Sequence, residues 1–508
     1  MPTTVREPAA PPPRQTTTTP WLAIAAIVLL AAVLRFATLR TQSLWFDEAA
    51  TWDLVRRPFG EMLRQIPKGE SNPPLFYVLE WAWTRVFGDG EAGLRSLPAL
   101  AGLLTVPVAY AIGRRTAGEG SRAAARAGLA AAALVAVNPL LVWYAQEARS
   151  YALATLMSAV ALLLMLRAGS DRRGRVLAAW ALAGALALAT HYFTAFVLAP
   201  QAAWLLWRHP RRRDAAAAVG ALAAAGLALL PLLIAQSGNP YDIAGTSLVV
   251  RLAQVPKQFL LGYRGPLALP FGVLGALLVL GAAWLLASRT PPAPRERALL
   301  LVAIGCVAVA LPLLAALAGA DYLNTRNVLP ALVPLLAAVA VGCAASDRPR
   351  AGAALLAGLC ALSLAVVVAV AADAGFQRPD WRGLARALGG ASGPRALVVS
   401  PANGELALRY HRPAIRTLGP AGAAVREVDV IAVAGSRDPG AAPQLPPLVG
   451  TTLAVPGFMP AGRIRTAMYE LLRFRAVGAA SVQVAPDPLA QLRFGQPPPS
   501  IDLLPGGR

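Results

Sequence analysis

Apolar residues fall into blocks of about 20, the length that crosses a hydrocarbon core as a helix, separated by short breaks rich in arginine. The blocks predict membrane helices near 20–39, 96–113, 123–141, 150–167, 175–191, 193–208, 214–235, 269–288, 298–318, 326–345 and 351–373, eleven spans in all. With the N-terminus inside, the inner breaks become "GRRTAGEGSRAAAR", "RAGSDRRGR", "RHPRRRD", "SRTPPAPRERA" and "SDRPR". Every one is basic, as the positive-inside rule requires. The weakest point is the break at "HYF" between the fifth and sixth spans, because fusing those two blocks would move every later loop to the opposite side.

After residue 373 the apolar blocks stop. "RPDWRGLARALGG" and "NGELALRYH" have helical spacing, "RALVVS" and "VDVIAVAG" read as strands, and the tail "GQPPPSIDLLPGGR" reads as loop. The expected organisation is a disordered cytoplasmic arm over 1–19, a membrane domain over 20–373 with a long first outer loop at 40–95, and an extracytoplasmic α/β domain over 374–508. Within the first outer loop, "DEAATWDLVRRPFGEML" and "NPPLFYVLEWAWTRVFG" predict two helices lying in the interface.

Composition agrees with this reading. The chain of 508 residues is 56% hydrophobic and 14% charged, with a formal charge of +21. In a soluble protein that charge would suggest nucleic acid, but here the arginines border apolar blocks, so no nucleic-acid partner is expected. Cys306, Cys343 and Cys360 each lie inside an apolar block, without a CxxC pair. "GDGEAG" (88–93) matches GxGxxG by letter, yet follows an aromatic helix rather than a strand, and a dinucleotide site is not expected there. No zinc-ligand cluster, GxSxG or GxxxxGK occurs.

The threading sorts the remaining polar residues onto one face. Asp47 and Glu48 stand side by side in "LWFDEAATW", Glu147, Arg149 and Tyr151 in "QEARSYA", His191 and Tyr192 in "HYF", and Arg326 in "LNTRNVLP". Each has a plain reading beside a chemical one. Acids in a first helical turn favour the positive helix end. Arg149 is either a snorkelling arginine, a partner of Glu147, or a ligand group, and Arg326 stands against the inward bias of the other arginines. His191 suits a capping role as well as a ligand role. Adjacent helical residues point about 100° apart, so Asp47 and Glu48 do not share one proton or ligand unaided. Together on one face, these groups point to a site.

The ordered set of an outward "FDE", "NPPLFY", "QEARSYAL", "HYF" and a late arginine before a proline-containing span resembles the polytopic glycosyltransferases of the GT-C fold. The nearest group is the bacterial protein-O-mannosyltransferase-like and aminoarabinose-transferase-like branch, over about residues 20–345. The resemblance implies a GT-C-like helical membrane protein of a bacterial cytoplasmic membrane. It would move a sugar, mannose or another pentose or hexose, from a polyprenyl-phosphate carrier to an acceptor hydroxyl on a protein, lipid or polysaccharide at the outer face. It assigns Asp47 as the base, with Glu48 supporting it or holding a divalent cation. Arg149 and Arg326 would bind the phosphate leaving group, as one inverting displacement requires, with Glu147, Tyr151, His191, Tyr192 and Asn72 completing the substrate site. Relatives often carry a charged residue or histidine before the paired prolines, whereas Asn72 stands there, which leaves metal dependence open. The rivals are a lipid or sugar transporter, which would place its polar groups near the midplane, and a non-catalytic envelope assembly protein working through its outer domain.

Overall fold

A computed structural model describes residues 21–169, 174–209, 211–238, 246–390, 393–434, 444–447, 456–478, 480–492, 494–495 and 498–506. The arm expected to be disordered, residues 1–19, lies outside them. The helices of the first part are α1 (Trp21–Phe36), α2 (Phe46–Val55), α3 (Phe59–Gly69), α4 (Leu75–Phe87), α5 (Glu91–Ala117), α6 (Arg122–Val137), α7 (Pro139–Ala145), α8 (Tyr151–Ala168), α9 (Gly174–Thr190) and α10 (Ala195–Arg208). They continue as α11 (Arg213–Ala228), α12 (Leu230–Gln236), α13 (Leu248–Leu261), α14 (Ala268–Arg289), α15 (Pro292–Leu317), α16 (Leu332–Ala345) and α17 (Pro349–Ala372).

Every predicted span coincides with a helical stretch, but the helices differ in reach. Among the described residues seven are long and apolar enough to cross a membrane, counting Arg213–Gln236 and Thr325–Ala345 as single spans, and the pair α6 and α7, bent by 58°, would be an eighth. The shorter α1, α9 and α10 hold 16, 17 and 14 residues. At about 1.5 Å per residue they fall short of a 30 Å hydrocarbon core. The basic breaks meet at one end of the bundle, where Arg115 Nε donates to the Leu166 carbonyl and Arg297 Nε to that of Thr116. At "HYF" the chain does break, with a 3₁₀ turn (Tyr192–Thr194) between α9 and α10.

The first loop holds three helices rather than the two expected. Pro58 is the cause: the residue before a proline is pushed out of the α region, so α2 ends at Val55 and Pro58 becomes the N-cap of α3.

Beyond α17 come α18 (Trp381–Ala387), β1 (Arg395–Ser400), α19 (Gly404–His411), β2 (Arg416–Thr417), β3 (Ala423–Val425), β4 (Glu427–Val433), β5 (Phe458–Arg465), β6 (Tyr469–Ala476), β7 (Val482–Val484), α20 (Pro486–Leu489) and β8 (Ser500–Leu504). The main sheet has the order β2-β8-β1-β4-β6-β5, with β1 and β4 parallel. The proline-rich tail is therefore not all loop. Its "SIDLL" runs antiparallel to β1 and occupies an inner position in the sheet. Trp381, Leu384, Leu408, Val399 and Ile431 form the core on one face of the sheet, and Val398, Val430, Phe474 and Phe494 the core on the other.

Candidate active site

One broken helix and the end of α1 build the floor of the site. α6 stops because Asn138 and Pro139 start α7, the Asn138 Oδ1 accepting from the Leu140 and Leu141 amides at 3.1 Å. The break leaves carbonyls at the end of α6 without helical partners. Arg35 of α1 supplies them, its Nη1 donating to the Ala136 carbonyl at 2.8 Å and its Nη2 to that of Val135 at 3.0 Å. In return Gln146 Nε2 donates to the carbonyls of Leu34 and Arg35 and to Thr38 Oγ1. The end of α1 and the "QEARSY" turn are thus held at one height.

Above this floor, four carboxylates meet four guanidinium groups. Arg326 Nη1 donates to Asp47 Oδ2 at 3.2 Å. Arg95 grips Glu48 with two bonds, 2.7 Å from Nε and 2.6 Å from Nη2. Arg149 forms a parallel pair with Glu70, both bonds 3.0 Å. Arg378, just past the last span, donates to Glu147 Oε2 at 2.8 Å. The side chains of Glu48, Glu70 and Glu147 are 0%, 7% and 1% exposed against 16% for Asp47, so Asp47 is the carboxylate that solvent or substrate reaches best.

The adjacent acids therefore part company, as their angular separation on the helix demands. Glu48 turns inward. Burial alone would raise its pKa, but Arg95, Arg378 and the Ala148 amide hold it below the usual carboxylate value. Glu147 moves the other way: burial raises it, Glu48 and Asp47 add to the rise, and Arg378 only partly offsets them.

The remaining predicted residues gather around this core. His191 is buried, its Nδ1 accepts from the Phe193 amide at 3.3 Å, and its ring lies 5.4 Å from that of Tyr151. Burial, with Arg326 and Arg149 nearby, lowers its pKa to about 3, which keeps the imidazole neutral. Tyr192 donates to Gln236 Oε1 at 2.7 Å, and Gln236 Nε2 in turn donates to the Asn72 carbonyl at 3.1 Å. Asn72 thereby ties the α3–α4 connection to the end of α12.

Sequence reasoning missed Glu70, Arg95 and Arg378. Arg95 carried a faint signal, a charge inside the apolar "GLRSLPAL". Arg378 lies in "QRPDWRG", a motif with no role visible in the sequence. In the fold this segment docks the sheet domain onto the site: Arg382 pairs with Glu91, and its amide donates to Ser43 Oγ, which also meets His411 Nε2 at 3.2 Å.

Residues 71–235 match the family model of dolichyl-phosphate-mannose-protein mannosyltransferase. The match bears out the resemblance read from the sequence. It includes Asn72, Glu147, Arg149, Tyr151, His191 and Tyr192, while Asp47, Glu70 and Arg326 lie outside it. No curated protein matches the chain. Among solved structures the chain is similar to ArnT from Cupriavidus metallidurans bound to undecaprenyl phosphate, with 21% identity over 67% of this chain and 63% of that one and a TM-score of 0.44. It is also similar to the Archaeoglobus fulgidus oligosaccharyltransferase in complex with Zn and sulfate, at 15% identity, 72% and 54% coverage and a TM-score of 0.42. A third is the S. cerevisiae Pmt1-Pmt2 protein O-mannosyltransferase complex bound to the sugar donor, at 18% identity, 47% and 37% coverage and a TM-score of 0.34. The chain spans less than two thirds of the length of each of these chains.

The residues at this site do not fit a divalent cation. Glu48, the expected ligand, already accepts from Arg95 with both oxygens and from the Ala148 amide with Oε1, and Asp47 faces Arg326. Among the described residues no three His, Cys, Asp or Glu side chains converge to hold a metal.

Proposed function

We propose that the protein is a membrane glycosyltransferase that moves a sugar from a polyprenyl-phosphate carrier to an acceptor hydroxyl. The observation that carries this reading is Asp47, the most accessible carboxylate of the cluster, held 3.2 Å from Arg326. The family match supports the same chemistry over residues 71–235. The acceptor oxygen attacks the anomeric carbon while Asp47 takes its proton. The bond from that carbon to the phosphate oxygen breaks, and the electron pair leaves with the phosphate on its carrier, inverting the anomeric centre. Arg326 neutralises the charge that develops on the leaving group, as one accessible guanidinium can. Arg149, fixed by Glu70 and 3.5 Å from the Asp47 carbonyl, adds positive field at the same place. Glu48 is a structural anion that fixes the start of α2.

The orientation that suits this reaction puts the N-terminus and the basic breaks in the cytoplasm, and the site and sheet domain outside a bacterial cytoplasmic membrane. The acceptor is a protein, lipid or polysaccharide hydroxyl. Glycan transfer by membranes carrying Asp47→Asn tests the assignment: transfer should collapse at normal expression, and undiminished transfer removes Asp47 as the base.

A further inference from the structure

Four carboxylates of the site are matched by four arginines, yet a fifth arginine beside them has no acid. Arg264 follows α13 and is 8% exposed. Its Nη1 donates to the Gln377 carbonyl at 2.7 Å, its Nε is buried without a partner, and among the described residues no carboxylate pairs with it. Burial holds its pKa below the usual arginine value, and the facing Arg378, another cation, adds to the effect. A buried guanidinium without a counter-charge is costly by several kcal/mol, so an anion at this point would stabilise the fold.

The space next to Arg264 is suited to such an anion. A groove open toward the surface, enclosing only about 30 Å³, lies between the end of α1, α7, the turn that follows α13, and α17. Leu34, Val142, Val367 and Val370 give it apolar walls, while Arg264 and Gln42 mark its polar end. Asp47, Arg149 and Arg326 do not line it. Trp143 and Tyr263, stacked at 5.7 Å, form its boundary toward the site.

We infer that this groove binds an anionic phospholipid, with the phosphate against Arg264 and one acyl chain along Leu34, Val367 and Val370. The charge balance favours a head with one net negative charge, because the ammonium of a zwitterionic head would meet Arg264 and Arg378. Leu34 lies on α1 and Val367 and Val370 on α17, two helices that expose large apolar residues such as Leu29, Val33 and Val368, along which a bilayer would supply this lipid by lateral diffusion. The inference does not depend on the proposed reaction.

Native mass spectrometry of the full-length protein, released from nanodiscs of phosphatidylcholine containing phosphatidylglycerol, tests it. The wild type should retain phosphatidylglycerol, and Arg264→Gln should retain about ten-fold less, the effect of losing one charge-assisted hydrogen bond. Val370→Trp, which fills the groove and leaves the cation in place, should give the same loss, and it decides alone where Arg264→Gln does not fold. Undiminished retention in a folded variant overturns the inference. So does displacement of phosphatidylglycerol from the wild type by added polyprenyl phosphate, since that outcome would give the groove to the sugar carrier.

Discussion

Two regions of this molecule bury arginines against carboxylates, and they do so by different routes. In the C-terminal sheet, Arg395 pairs with Glu427 and Asp429, Arg473 with Asp429, and Arg475 with Glu427. Glu427 lies directly opposite Arg475, and Asp429 opposite Arg473, in the antiparallel β4–β6 register, while Arg395 faces Glu427 from β1. Once the strands align, the charges meet by cross-strand geometry alone. At the candidate site no shared register exists. Arg95 and Glu48 are 47 residues apart, Arg149 and Glu70 79, Arg378 and Glu147 231, and Arg326 and Asp47 279. A repeating ladder makes the sheet's network, whereas separate helix ends must be brought together to make the other. The first stabilises a domain, and the second leaves one pair, Asp47 and Arg326, partly exposed.

The widest gap between the regions should appear in rate. Asp47→Asn should lower transfer by about 10²- to 10⁴-fold, the usual contribution of a general base, with little change in thermal unfolding in detergent because Asp47 is partly exposed. A stability loss as large as the rate loss would make Asp47 another structural acid and erase the contrast.

Next in size come the buried acids. Glu48→Gln should destabilise by roughly 3–5 kcal/mol, since it strands the buried Arg95, and Asp429→Asn by less, since Arg395 keeps Glu427 and Arg473 is partly exposed, as measured by thermal unfolding. Only Glu48→Gln should also reduce transfer, because its partner Arg95 holds the start of α2. Equal activity loss in both variants would show the sheet and the site acting as one unit.

The docking pair tests whether the two regions are coupled. Arg378→Gln should destabilise, and adding Glu147→Gln should recover part of the loss, giving a coupling of about 0.5–3 kcal/mol in a double-mutant cycle. Strict additivity would break the link between the sheet domain and the "QEARSY" turn.

The smallest effect concerns Glu80 on α4, whose two oxygens are buried without partners. Burial, with Glu48 adding, raises its pKa well above the ordinary value. The unfolded chain ionises this group above its usual pKa while the folded protein keeps it protonated, so its cost grows as pH rises from that value toward the folded one. Glu80→Gln should therefore raise the unfolding temperature at pH 7–8 and leave it unchanged near pH 4. A benefit that did not vary with pH would indicate a packing effect instead.

The helical stretches, the basic end, the cluster of candidate residues and two of the described strands, β1 and β4, were legible in the amino-acid order, because hydrophobic block length and arginine placement are local properties. Periodicity also separated Asp47 from Glu48 before any contact was known. Tertiary structure alone decided which of the two is accessible, which arginine meets which acid, and that "QRPDWRG" joins the sheet domain to the site. It also decided that the tail enters the sheet as β8. The reason is sequence separation: a pair such as Asp47 and Arg326 exists only because the packing of helix ends brings them within 3.2 Å, and no local pattern in the chain encodes that packing.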